Sequence, residues 1–465
     1  GVWQQEEQYE ARVTDTWPQR SLFTTKSLRF NDGSSDYLTK TFSSAGNRKT
    51  WTWSGWVKRS SGLGSQQDFF AVSSGSSAFH ILYFSGNDTI TFNYNTTYVE
   101  TNRKFRDVSA WYHVIFACDT TQSTASDRVK IYINGVQETS MAATGYPSQN
   151  ADLGINNNVR HDISNQGAYY SNNSYFDGYM SEVIFIDGQA LTPTSFGVTN
   201  SDGVWTPIIY SGTYGTNGFN LQFENAAALG TDSSPNGNTF TVNNLTSIDQ
   251  STDYPVVNYA TVNGIGAYRN QPTLSDGNLT LTGTGSGTTW NNTVATIGTT
   301  QGKWYYEFKI TGGSQFLDIM IGIINTSKAI NPTTNLYTQN GSCYIYGNDG
   351  GEMRQDGGET FNNYGAFAQN DIIGIAYDLD TFKFNVYKNG TQMVTNFALS
   401  SNFQDGGIII PSILVYEQSV GSANFGNPPF AISSSNADGN GYGNFEYAVP
   451  SGYYALNTAN LAEFG

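Results

Sequence analysis

The sequence has little charge for its length and few of the side chains that catalysis and metal binding usually need. Charged residues make up 13% of the 465 residues, about half of the globular average near 25%. Only 3 histidines and 2 cysteines occur, so neither a Cys/His zinc site nor a disulfide framework is expected. Cys118 lies in a strongly apolar run, which predicts a buried free thiol.

Long apolar runs and runs of helix-forming residues are also absent. No window approaches the about 18 apolar residues of a membrane-spanning helix, so we expect no membrane insertion. The formal net charge is −16 at pH 7. A surface this acidic repels phosphate backbones, so nucleic acid is not an expected partner.

Glycine and aromatic residues are abundant instead, with 50 Gly, 30 Tyr and 28 Phe. Glycine tolerates the backbone angles of tight turns, and aromatic residues suit a pleated surface. From residue 21 onward, alternating strand patterns recur about every 8–12 residues, as in sandwich folds. The composition therefore predicts an all-β protein with under about a tenth of its residues in helices.

The chain divides into four segments by composition. Residues 1–20 form a polar N-terminal arm, residues 21–224 a first antiparallel sandwich, and residues 263–465 a second. Residues 225–262 are more polar and rich in turn residues, so we interpret them as a connector that still donates a strand or two. The predicted architecture is two jelly-roll-type sandwiches in tandem.

Three stretches of the first sandwich carry a family resemblance. They are WSGWVK at residues 53–58, VKIYING at residues 129–135, and FDGYMSEV at residues 176–183 followed by IDGQALT at residues 186–192. In this order and spacing they resemble the laminin-G-like branch of the concanavalin A-like lectin and glucanase superfamily. The resemblance implies a sandwich whose relatives include lectins, hydrolases and interaction modules.

The second sandwich resembles a SPRY domain. The matching stretches are GKWYYE at residues 302–307, the hairpin from residue 370 to residue 391, and SANFG at residues 422–426. With residues 1–10 ahead and residues 455–461 behind, the whole chain resembles structural proteins of tailed phages, especially marine ones. That resemblance implies a location on the virion surface, self-association, and contacts with other virion proteins.

Catalytic carboxylates are not evident in the sequence. Hydrolases of the superfamily place Glu-x-Asp-x-Glu, or a bulged form of it, on one strand, and neither pattern occurs here. Asp378 and Asp380 flank a predicted hairpin turn, where Asp is ordinary turn chemistry. Glu352, Asp356 and Glu359 lie in a glycine-rich loop. We therefore predict that the chain is not an enzyme.

The histidines give no catalytic signal either. His80 and His113 lie within strand patterns, and neither has a Ser, Cys or acid at a recognisable spacing. A triad or metal role for them is therefore not expected.

Calcium is the one cofactor that the sequence leaves open, because sandwiches of this type often bind it through loop oxygens. Asp119 and Asp127 bracket one loop, and Asp152, Asn156 and Asn157 occupy another. The same residues suit the turns of any acidic, turn-rich protein. No other cofactor is expected.

The arm carries three aromatic residues, Trp3, Tyr9 and Trp17, on a polar background. So short a segment cannot bury them by itself. They are expected to anchor the arm, either on a neighbouring chain or on the first sandwich of the same chain.

These observations lead to a ranked set of functions. The leading hypothesis is a non-catalytic structural and adhesion protein of the virion surface that contacts host-surface glycans through exposed Tyr, Trp and Asn side chains. A soluble carbohydrate-binding module is the alternative, and a glycan-degrading enzyme is the weakest of the three.

Overall fold

The computed structural model describes residues 24–75, 78–166, 174–266, 268–285, 290–313, 318–328, 331–348, 350–360 and 362–465. The fold is all-β, with 43% of residues in strands and 6% in helices. In the described ranges the one α-helix is Thr458–Phe464, and the remaining helical residues form single 3₁₀ turns. The 3₁₀ turns are Asp32–Ser34, Ala125–Asp127, Pro193–Ser195, Ser247–Asp249, Leu336–Thr338 and Ser401–Phe403. The prediction of an all-β chain with very little helix is confirmed.

The first half of the chain forms strands β1 to β18. Their bounds, in chain order, are Ser27–Phe30, Tyr37–Thr41, Thr50–Arg59, Gln67–Gly75, Ala78–Phe84, Thr89–Tyr94, Thr97–Lys104, Tyr112–Asp119, Val129–Ile133, Val136–Gln137, Met141–Thr144, Arg160–Ile163, Gly178–Asp187, Gly197–Thr199, Trp205–Pro207, Phe219–Leu221, Thr241–Asn243 and Gln250–Ser251.

All of these strands except β14 and β15, which pair with each other separately, make two antiparallel sheets that pack face to face. Sheet A has the order β10-β9-β8-β3-β13-β1-β18, with β16 also paired to β13. Sheet B has the order β11-β7-β6-β5-β4-β12-β2-β17. Alternate residues of both sheets, such as Trp53 of β3 and Phe70 of β4, meet in one core. The sandwich exists because every second residue of these strands is apolar, and one face of each sheet must be buried.

The second half forms strands β19 to β32. Their bounds are Thr273–Ser275, Thr280–Thr282, Trp290–Val294, Lys303–Gly312, Ile319–Asn325, Ser342–Tyr346, Glu352–Gln355, Gly358–Thr360, Ile372–Asp378, Lys383–Lys388, Thr391–Ala398, Ile409–Tyr416, Val420–Asn424 and Tyr454–Ala455.

They also form a two-sheet sandwich. Sheet C has the order β19-β20-β31-β22-β27-β28-β29, and the short β32 adds to β22 in parallel. Sheet D has the order β21-β30-β23-β24-β25-β26. Their facing sides enclose a second core that contains Trp304 and Ile321. The chain therefore holds two sandwiches in tandem, as predicted.

Two hairpins show how local sequence determines turns. Asn134 and Asn389 have φ of 49° each, and the glycines that follow them, Gly135 and Gly390, have φ of 82° and 77°. Two successive left-handed residues define the type I′ turn that Asn-Gly favours.

Residues 225–262 are closely packed against both sandwiches. β17 pairs with β2, and β18 pairs with β1. Phe240 packs in the core of the first sandwich, whereas Val262 packs in the core of the second. This segment therefore supplies two strands to the first sandwich and core residues to both.

Both thiols, Cys118 and Cys343, are buried and free, so the predicted buried thiol at Cys118 is confirmed. Among the described residues, no helix is long and apolar enough to cross a membrane.

Candidate functional site

The site residues predicted from the sequence do not lie together in one site. Trp3, Tyr9 and Trp17 lie outside the described residues, so their anchoring role stays a prediction.

The calcium candidates Asp119 and Asp127 each have local partners. Asp119 accepts hydrogen bonds from Thr121 Oγ1 at 2.6 Å and from Gln122 Nε2 at 2.6 Å. Burial tends to raise the pKa of Asp119, but these hydrogen bonds outweigh it and lower the pKa. Asp127 forms an ion pair with Lys130 at 3.1 Å. Both carboxylates therefore stabilise the loop between β8 and β9.

In the second candidate calcium loop, Asn156 also has hydrogen-bond partners within the protein. Asn156 is fully buried and donates to Asp187 Oδ1 at 2.6 Å, while its own oxygen accepts from Asn217 Nδ2 at 2.9 Å. No group of three or more His, Cys, Asp or Glu side chains that could hold a metal ion occurs in the described part of the chain. The calcium interpretation stays a prediction.

Asp378 and Asp380 cap backbone groups around the β27–β28 hairpin. Asp378 Oδ1 accepts from the N–H groups of Asp380 and Thr381, each at 2.9 Å, and Lys303 lies 3.1 Å from the other oxygen. Asp380 Oδ1 accepts from the N–H of Gly302 at 2.9 Å. These carboxylates stabilise the β27–β28 turn and the backbone at Gly302 beside it.

A serine and a histidine meet in the first sandwich although they are far apart in the sequence. Ser54 of β3 and His113 of β8 lie on adjacent strands, and Ser54 Oγ is 2.8 Å from His113 Nε2. On the other side of the ring, Trp205 Nε1 lies 2.9 Å from His113 Nδ1. This arrangement resembles a nucleophile and its base, and the sequence spacing did not reveal it.

The tautomer of His113 argues against nucleophile activation. An indole N–H can only donate, so Nδ1 must accept and the ring proton sits on Nε2. Nε2–H then donates to Ser54 Oγ, whereas a general base would have to accept the serine proton there. Burial lowers the pKa of His113 to about 3, and its ring stacks 4.7 Å from that of Trp56. The group is a neutral packing element.

A different set of polar residues lies on the outer face of sheet B. Asp68 pairs across strands with Tyr83, Tyr83 with Thr91, and Thr91 with Glu100. Residues directly opposite one another in antiparallel strands project from the same face. These four residues, which we call the cross-strand row, therefore form a polar line over β4, β5, β6 and β7. Leu82, next to Tyr83, points into the core.

Asp68 is the unusual member of the cross-strand row. It is 0% exposed, and its Oδ1 accepts from Gln66 Nε2 at 2.8 Å. Its Oδ2 has no hydrogen-bond partner in the described part of the chain. Burial raises the pKa of Asp68 to about 8, so it is mainly protonated at neutral pH. An unpaired buried polar group costs about 1–3 kcal/mol, and protonation avoids the larger cost of burying a charge there.

Tyr83 and Glu100 complete the chemistry of the row. Burial, together with the neighbouring carboxyl groups of Asp68 and Glu100, raises the pKa of Tyr83 to about 12. Tyr83 and Glu100 are both half-buried. Tyr83 and Glu100 therefore offer a phenol and a carboxyl group to a ligand rich in hydroxyl groups, whereas Asp68 and Thr91 are buried beside them.

The spacing of the two carboxyl groups bears on catalysis. Asp68 and Glu100 are three strands apart, so their backbones are on the order of 14 Å apart. Glycosidases hold their two carboxyl groups within about 5–9.5 Å. Glu100 Oε1 also accepts a hydrogen bond from Thr89 Oγ1 at 2.5 Å. The two carboxyl groups are held by different partners on separate strands, Asp68 by Gln66 and Glu100 by Thr89.

Sequence reasoning did not identify this row. Its four members lie on four strands, and only the pairing register brings them together. The usable signal was limited to single polar residues at outward positions of apolar strands, which is also what a solvated sheet face contains.

Comparisons with known proteins agree with this architecture. Residues 32–196 match a family model described as the concanavalin A-like lectin/glucanases superfamily. Residues 303–428 match the model of the SPRY domain. No curated protein matches the chain in sequence.

Solved structures share parts of the fold at low identity. The SPRY domain of human HERC1 is 18% identical, with 31% of this chain and 85% of that chain covered and a TM-score of 0.25. A heptameric SAP-like pentraxin from Limulus polyphemus is 16% identical, with 34% of this chain and 71% of that chain covered and a TM-score of 0.26. The chain thus contains a concanavalin A-like domain followed by a SPRY domain.

Proposed function

We propose that the chain is a non-catalytic adhesion protein of a virion surface that binds host-surface glycans through the cross-strand row of its first domain. The observation that carries this proposal is the cross-strand register that places the half-buried Tyr83 and Glu100 on one face of sheet B. Sugar hydroxyl groups both donate and accept, so they would pair with Tyr83 and Glu100 while the sugar ring packs against the phenol.

The virion location rests on the resemblance of the chain and its flanking segments to tailed-phage structural proteins. It implies self-association and contacts with other virion proteins. The acidic net charge supports a surface that does not contact nucleic acid. The glycan-degrading alternative is weakened by the wide spacing of Asp68 and Glu100.

A glycan array with the full chain tests the binding. Tyr83→Ala should weaken binding of any positive glycan about tenfold, because it removes the half-buried ring and hydroxyl that would contact the sugar. Tyr83→Phe should retain part of the binding, because it keeps the ring and removes only the hydroxyl. Tyr132→Phe, on a strand of sheet A, is the matched control.

Three results would revise the proposal. An array without positive glycans, or equal binding by Tyr83→Ala, would overturn the assigned site. Release of reducing sugar from a bound glycan would show that the protein is an enzyme. Absence of the protein from imaged particles would overturn the virion location and leave a soluble carbohydrate-binding module.

A further inference from the structure

A second cleft, in the SPRY domain, has a composition that none of the functions above uses. It is an open cleft of about 380 Å³ lined by Trp290, Asp318, Tyr346, Tyr416 and Glu417. Three of the five residues are aromatic and the other two are acids. We propose that this cleft binds an ammonium cation, such as the free amine of an amino sugar or a quaternary ammonium group.

The cleft is built from one end of sheet D. Trp290 begins β21 and pairs with Tyr416, the last residue of β30. Tyr346 ends β24, and Asp318 directly precedes β23. Because β21, β30, β23 and β24 are consecutive in sheet D, their ends lie side by side. The rigid sheet therefore positions the side chains that line the cleft.

The aromatic rings are arranged around Trp290. Its ring centroid lies 5.2 Å from that of Tyr416 at 64°, and 5.8 Å from that of Tyr346 at 67°. Trp290 and Tyr416 are half-buried, so part of each ring faces the cleft. Rings inclined to one another in this way present both faces and edges to one small volume, as an aromatic cage does.

The charges at the cleft are complementary to a cation. Asp318 Oδ1 accepts from Tyr346 Oη at 2.5 Å and from Asn348 Nδ2 at 2.9 Å, which fixes the carboxylate at the rim. Glu417 has φ of 44°, a left-handed conformation that is costly for a residue other than glycine. Among the described residues that line the cleft there is neither a lysine nor an arginine. Two carboxylates beside aromatic faces therefore favour a cation and disfavour sialylated or sulfated ligands.

Arg354 lies over one ring of the cleft. Its guanidinium carbon is 4.9 Å from the centroid of Tyr346 and 5.7 Å from that of Tyr337. Arg354 is also 3.4 Å from Glu352, so its charge is offset locally. Because Arg354 already covers one side of Tyr346, we expect the ligand cation to lie against Trp290, beside Asp318 and Glu417.

Calorimetric titration of the full chain tests the proposal with matched pairs of ligands. The probes are glucosamine against N-acetylglucosamine, and tetramethylammonium chloride against sodium chloride at equal ionic strength. The charged member of at least one pair should bind about tenfold more tightly than its control. Binding of glucosamine alone indicates an amino sugar as the source, and binding of tetramethylammonium alone indicates a quaternary ammonium group.

Variants locate the binding to the cleft. Trp290→Ala and Glu417→Gln should each weaken it about tenfold, whereas Tyr98→Ala and Asp202→Asn, both exposed in the first domain, should not change it. Glu417→Gln keeps the shape of the side chain, so it still tests the proposal if Trp290→Ala does not fold. Three results would overturn the proposal. They are equal binding of each probe and its control, no binding of either glucosamine or tetramethylammonium, and unchanged binding by Glu417→Gln. None of these results depends on the cross-strand row.

Discussion

Lys58 Nζ lies 2.7 Å from Asp253 Oδ2, and both side chains are 0% exposed. Lys58 belongs to β3 of the first sandwich, and Asp253 follows β18, in the segment that leads to the second. Lys58 also donates to Asn258 Oδ1 at 2.7 Å, and Asp253 accepts from Trp111 Nε1 at 3.0 Å. The pair is fully hydrogen-bonded, which is what makes a buried ion pair tolerable.

Removing one partner of this pair should therefore be severe. We expect Lys58→Met to lower the free energy of unfolding by about 3–5 kcal/mol, because it leaves Asp253 buried without its counter-charge. The double variant Lys58→Met/Asp253→Leu should recover part of the loss. Chemical denaturation followed by fluorescence measures both. If the double variant were less stable than the single variant, the uncompensated charge would not be the cause.

The buried acid of the cross-strand row predicts a dependence of stability on pH. The pKa of Asp68 rises from its ordinary 3.8 to about 8 on folding. Its contribution to stability is thus full below about pH 4 and is lost as the pH rises to about 8. Wild type should melt at a lower temperature at pH 9 than at pH 5. Asp68→Asn should show a smaller decrease, and identical decreases in the two proteins would contradict the assignment.

Glu307 of β22 connects sheet C to the C-terminal segment. Its Oε2 accepts from the N–H of Glu446 at 3.0 Å and its Oε1 from the N–H of Tyr447 at 2.9 Å, while Asn424 Nδ2 donates to Oε2 at 3.0 Å. Burial raises the pKa of Glu307 to about 7 despite these hydrogen bonds.

Glu307→Ala should therefore cost roughly 3 kcal/mol and loosen the segment after residue 428, because it leaves several buried donors unpaired. Digestion with thermolysin, followed by mass spectrometry, should give earlier cleavage after residue 428 than in wild type. Glu352→Ala, at a half-buried glutamate of β25, is the control. Unchanged cleavage in Glu307→Ala would show that the segment is held by its apolar contacts alone.

Deletion of residues 1–20 tests the predicted anchoring role of Trp3, Tyr9 and Trp17. We expect loss of self-association or of incorporation into particles, with the melting temperature of the two sandwiches unchanged, because the aromatic side chains are expected to bind a neighbouring chain. Sedimentation and calorimetry measure the two properties. A large decrease in melting temperature with assembly intact would instead place the arm on its own chain.

Much of the fold follows from local sequence patterns. Alternation predicts β9, a short apolar run predicts β27, and Asn134-Gly135 predicts its turn, because side-chain direction and turn geometry depend on a few neighbouring residues. The order of motifs along residues 53–192 and 302–426 was sufficient to indicate the two domain types. Composition alone excluded long helices and a disulfide framework.

The candidate sites were decided only by the tertiary structure. Ser54 and His113 are 59 residues apart, and the cross-strand row draws one residue from each of four strands. Which residues become neighbours depends on strand register, and register depends on packing over the whole core. Burial of Asp68 and the pKa that follows from it are likewise properties of the assembled sandwich. The sequence alone therefore determined which segments are strands and where they turn. Only the packing of the sheets determined which polar side chains share a face, because that requires contacts between distant parts of the chain.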